Sequence, residues 1–148
     1  MNPFRYENGV LHADGVSLAE LATEIGTPFY CYSESAISAQ YRAYVDAFAD
    51  QDAVICYAMK ANDNLAILRT FAELCAGADV VSGGELQRAL AAGIPPSKII
   101  FSGVGKTEDE LALALSTRIM QINVESLAEM ETLSKAAVAK GVTAEIAI

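Results

Sequence analysis

After about the first two dozen residues, short apolar runs alternate with longer segments whose apolar residues recur at helical spacing. The runs FYCY (29–32), AVICYAM (53–59), ADVVS (78–82), KIIFSG (98–103), IMQINV (119–124) and TAEIAI (143–148) predict strands. Between the first two, Ile37, Tyr41, Tyr44, Val45 and Phe48 share one face of a predicted helix over 33–48. Thr107 with Glu110, and Ser126 with Glu129, have the spacing of capping boxes. Gly93 after LQRALAA and Gly141 after SKAAVAK mark helix ends, where a left-handed residue closes the last turn. Neighbouring strands recur about every 20–25 residues, enough for a strand, a helix and two short loops.

The strands read as continuously apolar, which predicts a parallel sheet covered on both faces. The fold class is therefore α/β with parallel strands. Such units suit an incomplete (β/α)₈ barrel, whose full form takes about 250 residues. They equally suit a small open parallel α/β sheet. The chain stops on the apolar residues of VTAEIAI, which suits either a buried strand at the very C-terminus or a segment of a longer protein.

Composition narrows the partners. The 148 residues are 53% hydrophobic and carry a net charge of −9, so nucleic acid and anionic membrane surfaces would repel the chain. No run reaches the roughly 18 apolar residues of a membrane span, and the N-terminus lacks an apolar signal core, so a cytoplasmic location is expected. Cys31, Cys56 and Cys75 are far apart in apolar stretches and predict reduced core thiols. No Cys/His cluster with ligand spacing is present, so no metal site is expected. His12 lies in a polar stretch and is given no chemical role.

Sites in parallel α/β folds lie at the C-terminal strand ends. At the first of these, the greasy run VICYAM ends in Lys60. A lysine desolvated there would favour its neutral amine, which attacks aldehydes to form a Schiff base. A lysine that snorkels to solvent is the other reading. Asp79 interrupts an apolar strand and needs a donor or cation nearby. Glu85 follows Ser82, Gly83 and Gly84, where it either neighbours a site or complements a helix dipole. GVGKT, 103–107, lacks the glycine that a phosphate-wrapping loop needs, so Lys106 is expected to stand solvated on a tight turn, with a weaker anion site at the helix start as the alternative.

YAMKAN (57–62), GADVVSGGEL (77–86) and FSGVGKT (101–107), in this order, resemble the pyridoxal phosphate-dependent group IV decarboxylases. YAMKAN is similar to the family's Y-A-V-K-A-N lysine motif, with Met59 in place of valine, and NGVLHADGVSLAELATEIGTPFYCYS is similar to the family's start. The resemblance implies an alanine-racemase-like α/β barrel joined to a C-terminal β domain. Residues 1–27 would be an arm that packs with that domain, and 28–148 the first part of the barrel. It implies pyridoxal 5'-phosphate as cofactor, carried by Lys60, with Asp79 close to cofactor and lysine and Glu85 near the site. It implies no role for Ser102 or Lys106. The implied activity is decarboxylation of meso-2,6-diaminopimelate to L-lysine and carbon dioxide by a homodimer with a small amino-acid substrate. Ornithine, arginine or carboxynorspermidine are the competing substrates. A non-catalytic cofactor-binding or assembly fragment, and a nucleotide binder using GVGKT, are the competing classes. The family's phosphate loop, ring-nitrogen acid and catalytic cysteine have no counterpart here, so the segment is expected to be inactive by itself.

Overall fold

The computed structural model describes residues 2–148, which fall into two compact units, one running to Asp52 and one from Ala53 to Ile148. No helix among the described residues is long and apolar enough to cross a membrane.

The first unit opens with an antiparallel meander of β1 (Phe4–Glu7), β2 (Val10–Ala13) and β3 (Val16–Ser17). Asn8-Gly9 and Asp14-Gly15 make its two-residue turns, all four with positive φ, from 50° to 84°. Tight hairpins of this twist require that conformation, which Asn, Asp and Gly adopt at least cost. Two helices follow, α1 (Leu18–Ile25) capped by Ser17 and α2 (Glu34–Ala47) capped by Ser33. The Asp14 carboxylate accepts hydrogen bonds from the Ser33 and Ser35 hydroxyls, tying the second turn to the start of α2.

One expectation fails in this unit. FYCY (29–32) is not a strand: it has no ladder partner, and Tyr30 is 90% exposed and stacked on Tyr32. Aromatic β-propensity expresses itself only where a neighbouring strand offers a pleated surface to pack on. Helix α2 forms as predicted, but none of its residues is buried, and Tyr44 and Phe48 are exposed.

The second unit carries β4 (Cys56–Ala58), β5 (Gly77–Val80), β6 (Ile99–Phe101), β7 (Gln121–Asn123) and β8 (Ile146–Ala147). Helices α3 (Leu65–Glu73), α4 (Gly83–Ala92), α5 (Glu108–Thr117) and α6 (Leu127–Lys140) connect them. All strands are parallel, and their spatial order is their chain order. That order decides between the two parallel architectures. Right-handed crossovers that always step the same way put every helix on one face, whereas a doubly wound sheet reverses its order and covers both.

Burial agrees. Ala78, Val80, Ile99, Phe101 and Ile122 point to the helices and are buried. Fully burying each of the larger ones contributes about 1.5–3 kcal/mol. On the opposite face Ala58, Asp79, Ile100, Gln121 and Asn123 are only half-buried. The expectation of a sheet covered on both faces is therefore corrected: one face is open and carries the polar residues. The unit is an incomplete parallel α/β barrel. Gly77 is required on its open face, because a Cβ there would sit 2.5 Å from the Lys98 carbonyl and 2.6 Å from Cys56 Sγ.

The cysteines are less buried than predicted. Cys31 and Cys56 are half-buried and Cys75 is exposed in a left-handed turn at φ 63°.

Candidate active site

Lys60 sits where the apolar run leaves the sheet. After Ala58 the backbone tightens into a single 3₁₀ turn, Met59–Ala61. Met59 turns inward and is fully buried, while Lys60, the next residue, is exposed. The turn is braced on several sides. The Tyr57 hydroxyl donates to the Asn62 carbonyl at 3.1 Å, and the Tyr57 ring stacks on Phe71 at 4.0 Å between centroids. Asn62 Oδ1 accepts the Asn64 N–H, and Asn64 Oδ1 in turn caps α3. From α4, Arg88 pairs with Asp63 at 3.2 Å and donates to its carbonyl. No described residue forms a hydrogen bond or ion pair with the Lys60 amine. The expectation of a desolvated lysine is not met, because the turn lifts Lys60 off the strand into the open.

Asp79 lies one strand over. The register pairs it with Ala58, two residues before Lys60. Its Oδ1 accepts the Ser102 hydroxyl at 2.5 Å. Ser102 Oγ accepts from Asn123 Nδ2 at 3.0 Å, and Asn123 Oδ1 accepts from Gln121 Nε2 at 2.6 Å. The need of Asp79 for a donor is thus met by a hydroxyl from β6's end and not by a cation. Sequence reasoning gave no role to Ser102, Asn123 or Gln121. For Gln121 and Asn123 the signal was the period-two alternation of Gln121, Ile122 and Asn123, hidden inside a run read as apolar. Cys56 shares this face. Burial, and then the charge of Asp79, push its thiol above the ordinary value, so it stays protonated and unreactive.

Glu85 does what a residue in a first helical turn does. Its N–H donates to Ser82 Oγ and its Oε2 accepts the Val81 N–H at 2.7 Å. Both bonds satisfy backbone at the start of α4. No hydrogen bond joins it to Lys60 or Asp79.

GVGKT differs most from its reading. Lys106 is buried, not solvated, and its side chain is 1% exposed. Its Nζ donates to the carbonyls of Gly103 (2.8 Å) and Asn123 (2.6 Å) and to Glu129 Oε1 (2.8 Å), itself 7% exposed. An ammonium has three protons, so none is left for a phosphate. The nucleotide-binding reading falls on this geometry. Ser126 caps α6 as predicted, but the Glu129 carboxylate that a capping box would use is taken by Lys106.

The predicted capping box at Thr107 and Glu110 is complete, and Glu110 Oε1 also accepts the Gly83 N–H at 2.8 Å. One carboxylate therefore closes the start of α5 and part of the start of α4. These backbone donors hold its carboxyl below the usual carboxylate range. A lowered folded pKa stabilises above the ordinary value of 4.5 and is lost as pH falls through the folded value. Glu110→Ala is expected to cost about 1 kcal/mol at neutral pH. In urea titrations the gap to wild type should narrow below pH 4.5; a pH-independent gap would contradict the assignment.

These residues suit one end of an aldehyde cofactor and not its phosphate. An unengaged amine on a braced turn, at the C-terminal end of a parallel strand and one strand over from a half-buried carboxylate, fits covalent attachment. The starts of α4 and α5 do not offer a phosphate cradle, because Glu85 and Glu110 already take backbone N–H groups there.

Comparison with known proteins agrees with this geometry. Residues 34–148 match the family described as pyridoxal-dependent decarboxylase, pyridoxal binding domain. The chain is 48% identical over 148 residues to a diaminopimelate decarboxylase of Pseudomonas aeruginosa, covering 100% of this chain and 36% of the relative. It is 50% identical to that of Aquifex aeolicus, covering 99% and 35%. A crystal structure of diaminopimelate decarboxylase from M. jannaschii in complex with L-lysine superimposes with a TM-score of 0.95 at 38% identity, covering 99% of this chain and 35% of that one. The chain thus spans about a third of the length of these relatives. Parallel strands in chain order, a lysine on the turn after β4 and a family match over residues 34–148 lead to one conclusion: the chain belongs to the pyridoxal-dependent decarboxylases and carries part of their pyridoxal binding domain.

Proposed function

We propose that the protein of which this chain is part decarboxylates meso-2,6-diaminopimelate to L-lysine and carbon dioxide. The reading rests on one observation above others: Lys60, exposed and unbonded, on the braced turn beside the strand of Asp79. Relatives named for this activity support the substrate. Lys60 would hold pyridoxal phosphate through its amine, and Asp79 would face the same pocket as an acceptor. When bound, the cofactor supplies the electron sink for the pair left by the departing carboxylate. Lys60 would also hold a proton at Nζ and return it to the substrate. Glu85 lies near the site as a support of the α4 start. The phosphate is held by residues outside this segment.

The same reading makes residues 1–27 the N-terminal arm and 28–148 the first part of the barrel, in a homodimeric cytoplasmic enzyme. Incubation of the full-length protein with meso-diaminopimelate should release carbon dioxide and L-lysine in equal amounts. Release from ornithine or arginine, with none from diaminopimelate, would contradict the substrate assignment.

A further inference from the structure

The open face of the sheet holds a hydrogen-bonded row that the reaction as proposed does not use. Gln121 donates to Asn123, Asn123 to Ser102, and Ser102 to Asp79, across β7, the end of β6 and β5. Every donor points the same way, and the row ends on the carboxylate. The backbone around it is pinned independently. Ser102 N–H donates to the Val80 carbonyl at 2.8 Å. Lys106 holds the carbonyls of Gly103 and Asn123 together, on either side of the Ser102–Asn123 bond. The buried ion pair with Glu129 thus sets the spacing of the β6 and β7 ends, on which the side-chain row depends.

We propose that Ser102, Asn123 and Gln121 are positioning residues that aim the Asp79 carboxylate at the cofactor carried by Lys60. The inference rests on the reading of Lys60 and Asp79 given above. A carboxylate on a strand has rotamers to choose from. A hydroxyl donor at 2.5 Å, itself oriented by an amide, selects one and leaves the second oxygen for the site. Residues that hold a catalytic group act on turnover more than on substrate affinity, because misplacement costs most where the reacting atoms must align.

The experiment uses the full-length holoenzyme. Ser102→Ala should lower kcat roughly tenfold with KM within about twofold of wild type. Ser102→Thr keeps the hydroxyl and should restore most of the rate. The visible circular dichroism of bound pyridoxal phosphate should change in Ser102→Ala and stay wild-type in Ser102→Thr. In an Asp79→Asn background, Ser102→Ala should alter that signal no further, because its effect runs through Asp79. A wild-type rate and spectrum in Ser102→Ala, or an equal further change in the Asp79→Asn background, would overturn the inference. Borohydride trapping on wild type separates the two levels. A pyridoxyl group missing from Lys60 overturns the reading of the site and the inference with it, whereas a labelled Lys60 beside a silent Ser102→Ala overturns the inference alone.

Discussion

Lys60→Ala in the full-length protein is expected to remove covalent cofactor attachment and to lower kcat by about a thousandfold or more, as losses of a covalent catalyst do. Lys60→Arg should be equally inactive. Its guanidinium keeps the positive charge but stays protonated at all working pH values and is no nucleophile. The pair of variants separates nucleophilicity from charge. If Lys60 merely offered a cation to a phosphate, arginine would serve and activity would survive. Folding should be untouched by either change, since Lys60 is exposed and unbonded, and such surface substitutions stay within about 0.5 kcal/mol. Urea midpoints equal to wild type, with the cofactor's absorbance lost from the protein fraction, complete the expected result. Activity retained in Lys60→Arg would rule out the covalent role.

Lys106→Met has the largest expected effect on stability. It leaves Glu129, 7% exposed in its side chain, without its cation, and strips two carbonyls of their donor. Removing one partner of a buried pair costs about 3–5 kcal/mol, because the remaining charge stays desolvated. The double variant Lys106→Met, Glu129→Leu removes both charges and should regain much of that loss. Restored stability need not restore function. Without Lys106, nothing clamps Gly103 to Asn123, so the Ser102–Asp79 bond should loosen and kcat should remain low even where the protein folds. A single variant as stable as wild type would mean that Glu129 finds another partner, contrary to the geometry described.

How much of this was legible beforehand depended on the kind of signal. The parallel class, the helix caps at Thr107 and Ser126, and the position of Lys60 at a strand end all followed from local rules of pattern and capping. The choice of architecture did not, since strand order is a property of the sheet and not of any strand. The N-terminal meander carried the strongest short hairpin signal available, Asn8-Gly9 and Asp14-Gly15 two residues long, yet no elements are assigned there from pattern alone. FYCY was overread because its aromatic residues favour a strand in isolation. Ser102 and Lys106 stayed hidden for a different reason. Each gains its role from partners 17–23 residues away, Asp79, Asn123 and Glu129, which no local pattern reveals. A capping-box glutamate drawn away to pair with a buried lysine looks, in sequence, like any other capping box.

The most direct test of the central claim is chemical. The full-length protein is incubated with pyridoxal phosphate, reduced with borohydride, digested, and mapped by mass spectrometry. Among the lysines of this chain the structure predicts a clear order. Lys106 is buried with all three protons engaged, and Lys98 and Lys140 donate to Cys75 and Ser116. Lys60 alone stands unbonded at the end of a strand in the sheet. A pyridoxyl group on Lys60, with Lys98, Lys106, Lys135 and Lys140 clean, is the predicted result. Labelling spread over the exposed lysines, or absent from Lys60, would contradict the assignment of Lys60 as the residue that holds the cofactor.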